Sequence, residues 1–243
     1  MKLGSKLLKL DKLESTSKLA RDLAEDGEAE GTVVEAEVQT AGTGRLERSW
    51  ASPKGGLWFS IILRPPVPPA QAPKLTLLAG VAVAAAIRTL YRIDAHLKWP
   101  NDIIVEGKKL CGILSESRAA GEKLDHVIIG IGINANFPVS ALPEELRKTD
   151  TTLCDELGKQ VNLDGLLRAI LSGLEMRYQR FCGGDTAAII EEWKMLTSTL
   201  GNKVKVATPS GNVVGVAEDV DPDGALVVKT AKGHVHVVSG DII

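Results

Sequence analysis

Cysteine is scarce in this chain: three residues, Cys111, Cys154 and Cys182, odd in number and far apart. No Cys-x-x-Cys pair exists, so the sequence points to neither a zinc site nor a disulfide framework, and a reducing cytoplasmic compartment is expected. Charge of one sign is also missing, with a formal net charge of −2 over 243 residues. A general nucleic-acid binder is usually basic, so any contact with a polyanion must be local, and DNA is not an expected partner. Long apolar runs are few. The longest, Leu75 to Leu90, is broken by Thr76, Arg88 and Thr89, and a buried helix is expected there rather than a membrane span. Met1-Lys-Leu-Gly-Ser5 has no apolar stretch of the kind that opens a signal peptide. His96, His126, His234 and His236 show no metal spacing, and no Gly-x-Ser-x-Gly or Cys/His nucleophile arrangement occurs.

What is present is ordinary soluble composition, 44% hydrophobic and 25% charged, in a length suited to one large domain or a main domain plus a small one. Ser15-Thr16-Ser17 precedes Lys18–Glu25, where Leu19, Ala20, Leu23 and Ala24 recur at helical spacing; a hydroxyl caps the start and Gly27 marks the stop. Strands are predicted at Thr32–Val38 and Leu57–Leu63, and Leu75–Leu90 as the central helix after an irregular segment with five prolines between Pro65 and Pro73. Short strands follow near Leu97–Trp99, Ile103–Val105, Leu110–Ser115 and Val127–Ile133, with hairpin turns at Gly107-Lys108 and around Gly121. Leu163–Phe181 and Thr186–Leu200 read as helices. This order favours α+β with a mostly antiparallel or mixed sheet. From Lys203 the pattern becomes short strands split by Pro209-Ser-Gly, Asp221-Pro-Asp-Gly and Lys232-Gly, a small barrel-like β module on which His234 and His236 share a face. The division is expected near Gly201, giving residues 1–200 and 201–243.

Four segments carry candidate chemistry. Gln39-Thr-Ala-Gly-Thr-Gly-Arg-Leu-Glu-Arg-Ser-Trp50 follows a strand and combines two glycines, two arginines and a tryptophan. Glycine lets the backbone approach a ligand, arginine offers a fixed charged fork for phosphate or carboxylate, and tryptophan offers a flat face. It is neither a dinucleotide fingerprint, which would need glycine at Glu47, nor a P-loop. Against a solvated surface loop, the odds of function for this segment alone are even. Lys98-Trp-Pro-Asn-Asp102 with Lys109-Leu-Cys-Gly-Ile-Leu114 places Asn101, Asp102 and Lys109 on or beside two strands, where an Asx turn and an exposed lysine are the simpler reading. Gly130-Ile-Gly-Ile-Asn134 is an apolar strand whose glycines admit a close neighbour, with Asn134 able to donate to a phosphate. The Ser15–Ser17 hydroxyls cap a helix, and a helix N-terminus also binds polar ligands.

Taken in order, these pieces resemble the biotin protein ligase family. The resemblance rests on Glu14–Ser17, Gln39–Trp50, Ser52-Pro-Lys-Gly-Gly-Leu-Trp58, Lys98–Asp102, Lys109–Leu114, Gly130–Asn134 and the terminal β module, and covers nearly the whole chain. It implies a central mixed sheet flanked by helices, of the class II synthetase type, with a C-terminal SH3-like barrel. It implies ligation of biotin, through biotinyl-5′-adenylate formed from ATP with Mg²⁺, to a lysine of a biotin carboxyl carrier protein or domain. By the same resemblance Lys109 and Arg45 are catalytic. Ser15, Thr16, Ser17, Gln39, Gly42, Thr43, Gly44, Arg45, Lys109 and Gly112 surround biotin. Arg45, Arg48, Trp50, Asn101, Asp102, Lys109 and Asn134 surround ATP, with Trp50 facing adenine. No metal site is expected from protein side chains alone. A homodimer is common in the family. Some members carry an N-terminal DNA-binding domain, and the dozen residues before Ser15 are too few for one, so the monofunctional type is expected. The family loop reads Gly-Arg-Gly-Arg-x-Gly-Arg; here Thr43 and Glu47 replace an arginine and a glycine. Two expectations follow: Glu47 points outward and pairs with Arg48, or the loop holds phosphate weakly and the adenylate escapes faster. A lipoate–protein ligase and a non-catalytic biotin or nucleotide binder are the alternatives.

Overall fold

The computed structural model describes residues 2–243. Its first sheet has seven strands: β1 Leu7–Leu13, β2 Val33–Gln39, β3 Leu57–Leu63, β4 His96–Lys98, β5 Asp102–Val105, β6 Lys108–Ala120 and β7 Lys123–Ile133. Their order is β1-β2-β3-β7-β6-β5-β4. Only β1 and β2 run parallel, so the sheet is mixed, as expected. Strand β3 is apolar at six of its seven positions and buried throughout, because both of its faces are covered. Strand β1 is a finding the sequence reading lacked. Both lysines, Leu7 and Leu10 are exposed at the sheet edge and only Leu8 and Leu13 pack, half-buried, against the α1 cluster, so Leu7-Leu-Lys-Leu-Asp-Lys-Leu13 shows no clean inward stripe.

Five helices flank this sheet: α1 Thr16–Glu25, α2 Ala72–Tyr91, α3 Leu153–Leu157, α4 Leu163–Cys182 and α5 Thr186–Leu196. On one face α1 packs Ala20 and Ala24 against Val34, Ile62 and Ile128. On the other, α2 lies between the sheet and helices α4 and α5, and the main core forms around it. Helix α2 is longer than its expected span and by length and composition alone could cross a membrane; its burial inside the fold accounts for the apolar sequence instead. The last helix stops at Leu196 rather than Leu200. Thr197 there turns to extended backbone, and its hydroxyl donates to Leu97 O at 2.8 Å.

The second sheet is antiparallel, built from β8 Lys203–Thr208, β9 Gly211–Val220, β10 Leu226–Thr230, β11 Gly233–Val237 and β12 Asp241–Ile242, in the order β11-β10-β9-β8-β12. His234 and His236 lie exposed on β11, paired with Glu218 and Asp221 respectively. The sheet shares the main core through Val204, Val206, Ala217 and Leu226, and polar contacts tie it to the larger unit. Trp99 Nε1 donates to Gly224 O at 3.2 Å, buried Lys74 lies 3.4 Å from Asp223, and Gly240 O accepts from Arg45 at 3.1 Å.

Candidate active site

Two rows of in-register residues underlie a cavity of about 560 Å³ on the α1 face of the larger sheet, and all of them but the fully buried Ser60 and Trp58 line it. One row runs Ser60, Gly130, Leu114; the next runs Trp58, Gly132, Gly112, Asp102, Lys98. Alternation along the strands puts both rows on the same face. A methyl group at Gly130 would stand 2.5 Å from Ser17 Oγ, and one at Gly132 2.4 Å from Trp50 Nε1. Glycine is therefore required at both positions by close approach of neighbours.

At one end of the floor is a hydroxyl and amide cluster. Ser15 caps α1, which brings Thr16 and Ser17 to the sheet. Ser60 Oγ is 2.8 Å from Thr16 Oγ1 and 3.0 Å from Ser17 Oγ. Gln39 Oε1 accepts from Thr16 N at 2.7 Å, and Gln39 Nε2 donates to Ser52 Oγ at 2.8 Å. Ser52 in turn donates to Trp50 O, so this end is wired to the arginine loop. Ser60 is fully buried. The sequence reading missed it because it sits within an apolar strand; a lone hydroxyl in such a run was the available signal.

The centre and far end are charged and aromatic. Lys109 Nζ lies 2.7 Å from Asp102 Oδ1, an ionic contact rather than an aligned hydrogen bond. It also sits 5.2 Å over the Trp50 ring. Asn134 is buried, and its Nδ2 has no acceptor. Asp150 lies beside Lys109 across a parallel bridge, and burial pushes its carboxyl pKa up from the ordinary range. Asn101 donates to Ile113 O at 2.8 Å and accepts from Arg45 at 3.3 Å.

Arg45 and Arg48 both reach one carboxylate, Asp241 on β12, at 2.9 and 2.8 Å. This corrects the expected Glu47–Arg48 pair. Glu47 does point to solvent, but Arg48 turns the other way, toward the second sheet. Leu46 and Glu47 hold φ of 54° and 57°. Left-handed backbone costs an ordinary side chain roughly 1–2 kcal/mol, and Glu47 is the position where the family pattern has glycine.

Of the residues singled out from sequence, Ser15, Thr16, Ser17, Gln39, Thr43, Gly44, Arg45, Arg48, Trp50, Asn101, Asp102, Lys109, Gly112 and Asn134 line this one cavity. Gly42 does not. It is packed behind the loop, where a methyl would meet Trp50 O at 2.6 Å. Lys98, Lys148, Asp150 and Asp241 also line it and had not been singled out as site residues from sequence. Asp150 and Asp241 carry no local motif; only the fold brings them to the site.

Comparison with known proteins agrees with this architecture. Residues 10–134 match the Biotin/lipoate A/B protein ligase family, and residues 199–243 match the Biotin protein ligase C terminal domain. The Bifunctional ligase/repressor BirA of Bacillus subtilis is 39% identical, over 99% of this chain and 74% of its own length. The Biotin–[acetyl-CoA-carboxylase] ligase of Mycobacterium tuberculosis is 32% identical, over 99% and 90%. The structure of a biotin protein ligase from Aquifex aeolicus in complex with biotin and ATP superposes with a TM-score of 0.85 at 30% identity, covering 98% of both chains.

Proposed function

This chain belongs to the biotin protein ligase family and is a biotin ligase, and from that premise we propose that it joins biotin to ATP and then transfers it to one lysine of a biotin carboxyl carrier domain. The observation that carries the assignment of roles is the cavity's polarity. Neutral hydroxyls and an amide gather at one end, cations and an indole at the other, with Lys109 between them across a glycine floor.

The ureido ring of biotin carries both donors and acceptors, which the Thr16, Ser17, Ser60 and Gln39 cluster can match. Its carboxylate arm then runs along Gly130 and Gly112 toward Lys109. In the first step a biotin carboxylate oxygen attacks the α-phosphorus of ATP, and pyrophosphate leaves. Two anions must meet, so fixed cations at the meeting point lower the barrier. Lys109 is the central one; Arg45 and Arg48 cover the phosphates, and Trp50 offers its face to the base. In the second step the carrier lysine's amine attacks the biotinyl carbonyl and AMP leaves. Positioning carries much of the rate, because no enzyme nucleophile takes part. Magnesium would arrive with the triphosphate and supply positive charge to it; Asp102 and Asp150 are the hard oxygen donors lining the cavity that could share it. In this reading residues 1–200 bind biotin and ATP, while 201–243 supply Asp241 and Gly240 to the loop.

The test is direct. The protein is incubated with biotin, ATP, Mg²⁺ and a carrier domain, with lipoate as a parallel arm, and the carrier is analysed by mass spectrometry. Biotin on a single carrier lysine supports the proposal. An unmodified carrier, or modification by lipoate in preference, refutes it.

A further inference from the structure

Helix α1 carries hydroxyls that meet the biotin ring in the reading above, and little in its apolar packing fixes it lengthwise. Its buried apolar side chains are Ala20 and Ala24, set against Val34, Ile62 and Ile128. Leu19 and Leu23 add only partly buried contact. Such contact is favourable but non-directional, and alanine has no long side chain to lodge in a notch. The position of the helix nevertheless has little tolerance. Ser17 Oγ stands 3.0 Å from Ser60 Oγ and 2.5 Å from where a methyl on Gly130 would lie. A slide of about 1 Å along the axis breaks hydroxyl contacts, whose range is about 2.5–3.0 Å.

Two ion pairs supply the missing register. Arg21 of α1 lies 3.2 Å from Glu116 of β6, and Glu25 of α1 lies 2.6 Å from Arg118 of β6. The helix carries cation then anion, and the strand carries anion then cation. A helix shifted by one rung in either direction brings like charges together. The spacings also match: four residues of helix rise about 6 Å, and two residues of strand span about 6.8 Å. Leu114, Glu116 and Arg118 alternate on one face of β6, opposite Gly130, Ile128 and His126 of β7. Ser17 is one helical turn before Arg21, just as Gly130 is one rung before Ile128. The ladder therefore runs in step, with Ser17 over Gly130, Arg21 at Glu116 and Glu25 at Arg118. These side chains are roughly half exposed, so the pairs add little to overall stability. Arg21 is the better shielded cation, because its Nε is buried with no acceptor.

We propose that Arg21 and Glu116, backed by Glu25 and Arg118, are positioning residues for biotin: their ladder sets the place of α1 along the sheet and, through it, of Thr16 and Ser17 at the biotin ring. This rests on the reading of the hydroxyl cluster as the biotin end. Without the ladder the helix samples neighbouring positions. Biotin then binds only the fraction in register, and its apparent affinity falls by that fraction. The strength of a half-exposed pair bounds the fall at about fivefold.

The full chain is compared as wild type, Arg21→Glu, Glu116→Arg, Glu116→Gln and the exchange Arg21→Glu/Glu116→Arg. Calorimetry gives biotin and ATP affinity, pyrophosphate release gives kcat and KM, and urea unfolding shows that each variant is folded under the assay conditions. Each single reversal weakens biotin by about fivefold, with ATP affinity and kcat at saturating biotin unchanged. Glu116→Gln, which removes the attraction without adding repulsion, loses about twofold. The exchange restores opposite charges across the rung and returns biotin affinity to within about twofold of wild type. The proposal is overturned if a folded reversal variant binds biotin as wild type does, which would leave the pairs a role in stability alone. It is overturned also if biotin and ATP weaken alike, or if the exchange recovers nothing. A wild type and variants that bind biotin in the expected pattern but form no biotinyl-adenylate would sink the ligase chemistry and leave the positioning role standing.

Discussion

Replacing Lys109 with methionine separates two roles that one ion pair combines. At 2.7 Å and an effective dielectric of about 20, the gross attraction between Lys109 and Asp102 is about 6 kcal/mol. Their side chains are 30% and 22% exposed, between the surface and buried limits. The net cost of breaking the pair is therefore about 2 kcal/mol, most of it from an uncompensated Asp102. The catalytic loss is larger. Removing a preorganised charge aimed at a developing anion typically costs about 2.7–4 kcal/mol, or 10²–10³ in rate. Lys109→Met should thus lower urea-unfolding stability by about 2 kcal/mol and biotinyl-adenylate formation by at least about a hundredfold. Adding Asp102→Asn removes the stranded charge, so the double variant should regain the stability and none of the rate. Unfolding curves and single-turnover pyrophosphate release read the two quantities separately. If the double variant recovers the rate as well, Lys109 serves only to neutralise Asp102, and its assigned role at the reacting phosphate is wrong.

Gly130→Ala drives a methyl to 2.5 Å from Ser17 Oγ, so biotin affinity should fall at least about tenfold while ATP binding stays the same; equal biotin affinity by calorimetry would move the biotin ring elsewhere. Glu47→Gly removes an exposed negative charge and a left-handed side chain from the loop, and adenylate release should slow by about two- to threefold, the effect of a solvent-screened charge; an unchanged release rate removes Glu47 from adenylate retention. The folded-state pKa of Asp150 is raised, chiefly by burial and further by Asp102, against Lys109, Thr149 and Asn134, which lower it. A raised carboxyl binds more protons folded than unfolded, so stability falls as pH climbs from about 4 through the folded pKa. Asp150→Asn should then be the more stable protein at pH 7, with the gap closing below about pH 4; thermal unfolding curves that differ equally at both pH values contradict it.

Elements with a strong period are legible in the sequence. Leu57–Leu63 keeps the same ends in the structure, and Ser15 caps α1 as its position before an amphipathic run suggested. Failures follow the physics of what a pattern can report. Strand β1 is an edge with solvent on most positions, so burial writes no alternation into it. Strand β6 runs on to Ala120, past the apolar stretch, because β7 supplies its ladder whatever the side chains are. In the site, the legible residues sit in short motifs: the loop, Asn101-Asp102, Lys109 and Asn134. Asp150 and Asp241 reach the cavity, and Ser60 the hydroxyl cluster beneath it, only through tertiary packing, and single polar residues without neighbours of a kind leave no local trace. The Glu47–Arg48 pair failed for the same reason: sequence adjacency offered a partner, and a strand nearly two hundred residues away offered a better one.

That distant partner changes how the arginine loop must work. From sequence, Arg45 and Arg48 read as free cations awaiting phosphate. In the structure one carboxylate holds both, and Arg45 also donates to Asn101 and to Gly240 O. An incoming triphosphate therefore competes with Asp241 and does not meet two bare charges. The competition is winnable, because the phosphate carries several charges where Asp241 carries one, and the Arg48 side chain is 65% exposed, so its half of the clamp is held weakly. The loop around it is mostly solvent-exposed and carries two left-handed side chains, so little packing resists rearrangement. Such a loop can hand its arginines from protein to ligand at a small net cost. The same exchange ties the second sheet to the chemistry: whatever shifts β12 shifts the balance between the clamped and the phosphate-bound arginines.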